Sequence, residues 1–477
     1  MTKKGFSTLE ILIATAVLTV TLSAVIIVSF SSQSFMIDSK NGNDGLNEAQ
    51  ALLEEAKNSA KIDFDLVQNK TETNGIFTKQ LTVTEVDAIT KKISAEVTWQ
   101  NGEKKVDLYS LVTNLANGPA SNTCSFVLSG NWNSPQVHTF ALASLWPAEL
   151  PTDSNGIYTI TGLDAYLGKL YITADSSNSV GVTKKQKTFF VLNLATPTSP
   201  TLLGSVDNDA TTATGLAALH VGQTYAYTIS ALSGGSQLQI FDITYNPPKL
   251  IKTFQVSANV AATSIFYKEG IVYLGLANNS SGPEFYTIDV SDPLNPHTLG
   301  SAEIGSGVRD MYLHDNLMYV ASGDTENIKI FDISNPASPV KVGKYISAYP
   351  PSGNSNQGNH IFVLNNTAYL GRTGGTNEFY MLDTSNPNAV SEEGSFDVTG
   401  STDVVGLAVR NTLAFLATSS GQLQILNIAD PLHITNATGS PITLGNPASV
   451  LDCEGNNIYV ASNDSAGRGY ITVVSAQ

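Results

Sequence analysis

The sequence predicts a mainly β protein, and three observations carry that prediction. Charged residues make up only 14% of the 477, while Tyr and Phe contribute 18 each and Gly 38, a composition that leans to turn-rich sheet rather than helix. A six-residue strand motif then recurs along the chain. It runs as Phe189-Phe190-Val191-Leu192-Asn193-Leu194, Leu238-Gln239-Ile240-Phe241-Asp242-Ile243, Phe285-Tyr286-Thr287-Ile288-Asp289-Val290 and Ile328-Lys329-Ile330-Phe331-Asp332-Ile333. It continues as Phe379-Tyr380-Met381-Leu382-Asp383-Thr384, Leu423-Gln424-Ile425-Leu426-Asn427-Ile428 and Tyr470-Ile471-Thr472-Val473-Val474, at intervals of 49, 47, 43, 51, 44 and 47 residues. Finally, each copy follows a Gly/Asn turn and another strand, such as Leu317-Met318-Tyr319-Val320, and the middle copies precede a proline turn and a last strand such as Val340–Tyr345. Four short strands per unit of about 40–50 residues is the pattern of propeller blades. Seven units predict a seven-bladed β-propeller over 124–477, with a β-helix or stacked solenoid as the structural alternative.

The ring has to close. The last unit reaches Gln477 after three strands, so residues 124–145, with Cys124-Ser125-Phe126-Val127-Leu128 and His138-Thr139-Phe140-Ala141-Leu142, are expected to add the missing outer strand. Cys124 lies in that segment and Cys453 in the first strand of the last unit, so a Cys124–Cys453 disulfide is one expectation and two buried thiols the other. A bridge closing so long a loop would add several kcal/mol in the chain-entropy model. Two cysteines this far apart exclude a metal site of the paired-cysteine type.

Ahead of the array, the chain divides at 117–123, from Asn117 to Thr123, a linker rich in small and turn-forming residues. Residues 6–37 begin with an apolar run in which Glu10 is the sole charge between Phe6 and Ile37. A bilayer span needs roughly 20 apolar residues, and an intramembrane carboxylate normally marks a functional site with a partner. Residues 38–66 predict an amphipathic helix, because Leu46, Ala49, Leu52, Leu53 and Ala56 recur at three- and four-residue spacing. Alternating strands follow at Phe77–Val86, Lys92–Trp99 and Val106–Val112, with Gln100-Asn101-Gly102-Glu103 as the hairpin turn between the last two.

The Lys3-Lys4-Gly5-Phe6 junction with Glu10 resembles the leader of type IV prepilins and pseudopilins. That resemblance implies a leader at 1–5, cleavage after Gly5 by a prepilin peptidase, methylation of the new Phe6 terminus, and a Glu10 carboxylate that pairs with a neighbouring subunit during filament assembly. The helix and meander at 38–116 are similar to the globular part of a minor pilin. The implied location is a single-pass helix in the inner or cytoplasmic membrane before assembly, with the N-terminus cytoplasmic and the propeller extracytoplasmic, then a pilus or cell surface. The Ile330-Phe331-Asp332-Ile333-Ser334-Asn335-Pro336 signature resembles the LVIVD-repeat family of bacterial surface propellers.

Function follows from charge and loops. A net charge of −16 argues against a nucleic-acid role, which needs a basic surface. Turns on one face of the ring are short and proline-fixed, whereas loops on the other are long, at 175–187, 207–215, 278–284 and 346–359. Loops of about 12 residues or more in compact domains tend to be functional, so Tyr349, His360, Arg309 and Arg372 are the candidate ligand residues. The recurring Asp242, Asp289, Asp332 and Asp383 instead predict turn caps. The six histidines show no ligand spacing, so no metal site and no cofactor are expected; Asp207-Asn208-Asp209 is a calcium candidate without the graded oxygen ligands of a dedicated loop. No hydrolase or phosphate-loop motif occurs in context. A propeller of about 350 residues has a radius of gyration near 20 Å, too wide to repeat along helices packed about 8–10 Å apart. The expectation is therefore a non-enzymatic minor pilin, at a tip or sparsely placed, displaying a propeller that adheres to a glycan or protein. Its alternatives are a membrane-tethered propeller enzyme acting on glycans and a secretion-system pseudopilin with a substrate-binding head.

Overall fold

The computed structural model describes residues 19, 21–23, 38–57, 59, 67–87, 90–113, 130–145, 158–175, 188–207, 215–230 and 235–477. It falls into two compact units, Met1–Gly118 and Pro119–Gln477. Gly5, Phe6, Glu10, Cys124, Asn208 and Asp209 lie outside the described residues.

In the first unit, residues 38–57 are helical. The stripe of Ala49, Leu52, Leu53 and Ala56 is buried against Phe77, Leu81, Ile93, Ala95, Val97 and Trp99. The sheet has four strands in the order β1 (Lys70–Asn74), β2 (Phe77–Asp87), β3 (Thr90–Trp99) and β4 (Lys104–Thr113). β1 escapes a hydrophobic-alternation reading because Lys-Thr-Glu-Thr-Asn has no apolar face; the β2 edge alone recruits it. The β3–β4 turn is a 3-10 turn with Gln100 and Gly102 at positive φ and Glu103 N–H donating to Gln100 O at 3.2 Å.

Among the described residues no helix is long and apolar enough to cross a membrane. This corrects the expectation of a single-pass anchor and of a location built upon it. The helix that is described carries Asp38, Lys40, Asp44, Glu48, Glu54, Glu55 and Lys57 within 20 residues, and its apolar stripe is committed to the sheet. Of 6–37, only Thr19, Thr21, Leu22 and Ser23 are described; they are helical and exposed.

The second unit is mainly β: its described residues form seven small antiparallel sheets, each built outward from a first strand. Those first strands are Thr159–Tyr166, Leu216–Val221, Ala262–Lys268, Val308–His314, Gly358–Leu364, Val404–Arg410 and Ala448–Glu454. Each packs beside the next, and the seventh returns to the first, so the sheets close into a propeller-like ring. They are called blades 1 to 7 here. In blade 7 the fourth strand is β5 (Gln136–Ala141), which pairs with Gly469–Ser475 and places Phe140 opposite Ile471.

The recurring motif is the third strand of each blade. In blades 1 to 6 its terminal Asp or Asn caps the turn that follows, as the residue type requires; blade 7 has neither there. Thr244, Ser291, Ser334 and Ser385 N–H groups donate to Asp242, Asp289, Asp332 and Asp383 Oδ1 at 3.0, 2.8, 2.9 and 2.8 Å. Asn193 and Asn427 accept in the same way from Ala195 and Ala429. Blades meet along a graded row of side chains. Opposite one another in successive strands stand Tyr312, Tyr319, Ile330 and Gly343 in blade 4, and Phe362, Tyr369, Met381 and Gly394 in blade 5. The glycine is required at the rim: a Cβ on Gly343 would stand 1.9 Å from Pro387 O of blade 5, and one on Gly394 1.9 Å from Pro431 O of blade 6.

Candidate functional site

Antiparallel order puts the start of every first strand, the 2–3 loops and the blade-to-blade segments at one end of the ring. Between blades 4 and 5 that end carries residues 346–357, and the structure gathers all four sequence candidates around them.

Arg372, in the second strand of blade 5, is fully buried. Its Nη2 donates to Tyr349 O and Asn356 O, both at 2.6 Å, and its Nη1 to Tyr380 OH at 2.9 Å and Ser347 Oγ at 3.1 Å. The guanidinium also lies over the Tyr380 ring, 5.1 Å from its centroid. Burial pulls its pKa below the usual arginine range, opposed by Tyr380. Arg372 therefore fixes the loop from beneath and offers nothing to a ligand.

Blade 4 grips the same segment through Asn327, whose Nδ2 donates to Asn356 O at 2.9 Å and whose Oδ1 accepts from Ser347 N–H at 3.2 Å. Asn327, Ser347 and Tyr380 are not among the sequence candidates. A signal was present: the residue just before the third-strand motif is polar in blades 2 to 5, as Gln237, Glu284, Asn327 and Glu378. All four are buried. Glu284 and Glu378 accept backbone N–H bonds from Ile304 and Val398 in their own outgoing segments, at 3.0 and 2.8 Å.

With its backbone held, the loop turns Ile346 and Tyr349 outward, 49% and 45% exposed. Beside it Arg309 is exposed, with its guanidinium donating to Gln357 Oε1 and, at 3.4 Å, to Asn359 Oδ1. His360 Nδ1 lies 3.2 Å from Asp310 Oδ2, which also accepts Ile361 N–H across the blade boundary at 3.1 Å. Arg309 and Asn359 occupy the bulge that interrupts each first strand. At equivalent bulges Thr161, Thr263 and Asn359 donate to Leu216 O, Val308 O and Val404 O of the next blade at 2.6, 2.6 and 2.7 Å. Arg309 differs in reaching side chains, which leaves part of its five-donor fork available.

Three residues further along each first strand, about 10 Å on at strand rise, a ring of side chains lines the axis: Asp164, His220, Phe266, Tyr312, Phe362, Ala408 and Asp452. Each stands opposite an aromatic residue of the second strand, Tyr171, Tyr227, Tyr273, Tyr319, Tyr369, Phe415 and Tyr459. Ring centroids lie 4.7 Å apart for His220–Phe266, 5.8 Å for Phe266–Tyr312 and 4.9 Å for Tyr312–Phe362. Where blade 6 supplies only Ala408, the Arg410 guanidinium sits over Phe362 at 5.2 Å. Asp452 Oδ2 accepts Ala165 N–H at 2.6 Å and Asp164 Oδ2 accepts Val221 N–H at 2.7 Å. All but the partly buried Tyr312 are buried.

Among the described residues no three His, Cys, Asp or Glu side chains group to hold a metal ion. Cys453, 2% exposed beside Arg410 Nη2 at 3.4 Å, is disulfide-bonded.

The LVIVD-repeat family matches residues 306–347, the span of blade 4 and its exit. That match and the sheet topology make the second unit a propeller-type domain. No curated protein matches the chain. Among solved structures, a computationally designed protein named Ika8 is similar with a TM-score of 0.45 and 13% identity over 66% of this chain and 96% of that one. A chain of the mitotic checkpoint complex is similar with a TM-score of 0.48 and 13% identity over 72% and 96%.

Proposed function

We propose that the chain is a ligand-binding or adhesion protein whose propeller-type unit presents residues 346–360 as its contact surface. The observation that carries this reading is the investment of buried polar groups in one loop. Arg372 and Asn327 hold the backbone, and Tyr380 holds the Ser347 hydroxyl and Arg372, while Ile346, Tyr349 and Arg309 face outward. A surface ordered before binding loses less conformational entropy on binding. The test is an array of glycans and proteins probed with the full chain and with a chain in which 346–357 is replaced by a short Gly-Ser turn. The reading expects specific binding that disappears with the loop. Equal binding by both chains would refute it.

A finer reading rests on the N-terminal sequence alone: Gly5, Phe6 and Glu10 would make the chain a minor pilin-like subunit, with prepilin peptidase and other pilin subunits as partners. Co-expression with a prepilin peptidase followed by mass spectrometry of the N-terminus tests it. Processing to a methylated Phe6 is expected, and an unprocessed Met1 terminus excludes it.

A further inference from the structure

Resting on that reading, we infer that the ligand held by the 346–360 surface is a glycan. The inference comes from what the fixed loop leaves exposed. In a chain of net charge −16, residues 346–359 contain no Asp, Glu, Lys or Arg. Their exposed polar side chains are Ser352 and Asn354, with Ser355, Asn356 and Asn359 half-buried beside them, all of them amides or hydroxyls. Ser352 and Ser355 exchange backbone hydrogen bonds at 3.0 Å, and Gln357 Nε2 donates to Gly353 O at 2.7 Å, so the tip holds its own shape. On the same loop Tyr349 is 45% exposed, with its carbonyl anchored to Arg372.

An exposed aromatic side chain on a backbone-anchored loop that also carries amide groups suits a pyranose, whose C–H face packs on the ring while neighbouring hydroxyls take paired donors and acceptors. Arg309 adds a planar fork that engages a vicinal diol or a sugar carboxylate in two bonds. A protein partner fits the surface less well. Stable protein interfaces use roughly 20–30 residues a side around a fully buried core. This loop has 12 residues at 346–357 and two large exposed apolar side chains, Ile346 and Tyr349.

The experiment uses the full chain and a densely glycosylated mucin, immobilised before and after periodate oxidation, which cleaves vicinal diols. Neutral and uronate-containing oligosaccharides serve as soluble competitors. The inference expects periodate to abolish binding and Tyr349→Ala to weaken it at least tenfold, with Tyr349→Phe retaining it because the stacking face survives. Arg309→Ala should weaken competition by uronate oligosaccharides more than by neutral ones. Loop-dependent binding that survives periodate, or that appears only on unglycosylated proteins, overturns the glycan inference and leaves the loop as a binding surface. Absence of loop-dependent binding to any of these surfaces overturns both.

Discussion

Arg372 is a full charge with no exposure, hydrogen-bonded to carbonyls and hydroxyls, with the Glu378 charge a smaller contribution. Its removal would take the Arg372 donor from the Tyr349 carbonyl, at about 1–3 kcal/mol for a buried unsatisfied group, and leave the Asn356 carbonyl held by Asn327 Nδ2 alone. Arg372→Ala should therefore free the loop, which limited proteolysis within 346–357 would detect, and abolish binding. Arg372→Lys should not restore it, because one ammonium cannot reproduce a fork reaching both carbonyls and Tyr380. A sequence reading places an arginine at the loop-bearing end but cannot see the Tyr349 and Asn356 carbonyls converging on it, so exposure is the natural expectation. The axial ring is illegible for another reason: its members share a register but no chemistry. Burial lifts the Asp452 carboxyl to about 7 and holds the His220 imidazole down to about 4; burial, reinforced by the Asp452 charge, puts Asp164 well above the ordinary carboxylate range. Arg410, Glu454, Tyr312, Tyr166, Tyr171 and Tyr459 are further titratable groups interacting with these. A carboxyl raised on folding binds more protons in the folded chain, so stability falls as pH rises from about 4 to 7. His220 acts oppositely as pH falls from about 6.5 to 4, and two carboxyls outweigh one imidazole. The ring should thus stabilise more at pH 5 than at pH 8. Asp164→Asn, which keeps an acceptor for Val221 N–H, should shrink that difference in Tm by half or more. An unchanged pH profile would remove the ring as its source.

At the scale of the element, the blade is legible where one position serves every copy alike. The capping Asp or Asn recurs because each third strand must turn towards a fourth, and the Tyr of the second strand recurs because it fills the widening gap behind the axis. The rim glycine belongs to the same logic, although its reason lies in the neighbouring blade. Gly343 and Gly394 leave room for the carbonyls of Pro387 and Pro431, backbone atoms that cannot rotate away. Gly343→Ala and Gly394→Ala should each destabilise by about 1–3 kcal/mol, the usual cost of overpacking. Gly282→Ala, whose new methyl would meet nothing nearer than 3.4 Å, should be close to neutral in the same denaturant titration. Equal effects at the three positions would remove inter-blade packing as the cause. The β1 strand marks the opposite case. Its place depends on the β2 edge and not on its own pattern, so no periodicity in Lys70–Asn74 announces it.

The whole propeller-type unit depends on closure, because seven sheets packed side by side leave two raw faces until the last meets the first. Several side chains concentrate at that seam. Asp452 accepts from Ala165 N–H and Glu454 from Gly168 N–H at 2.7 Å, while Asn463 both accepts from Ile160 N–H at 2.8 Å and donates to Ile160 O at 3.0 Å. β5 completes blade 7 from the other end of the sequence, with Thr139 Oγ1 and Thr472 Oγ1 2.9 Å apart across the strands. Thr139→Pro would place a ring with no N–H in this ladder and distort the pairing over Gln136–Ala141. The strand Gly469–Ser475 would then present an unpaired edge, which favours association with other chains. The expected outcome is a lower Tm, a shallower denaturant transition and concentration-dependent aggregation, whereas the intact ring should unfold in one step. The disulfide at Cys453 acts on the same blade, and reduction should lower the Tm of the wild-type chain. Alkylation before reduction, followed by mass spectrometry, should find both Cys124 and Cys453 protected. If Thr139→Pro unfolds as steeply as wild type and stays monodisperse, the first-strand seam alone closes the ring and β5 is an accessory edge.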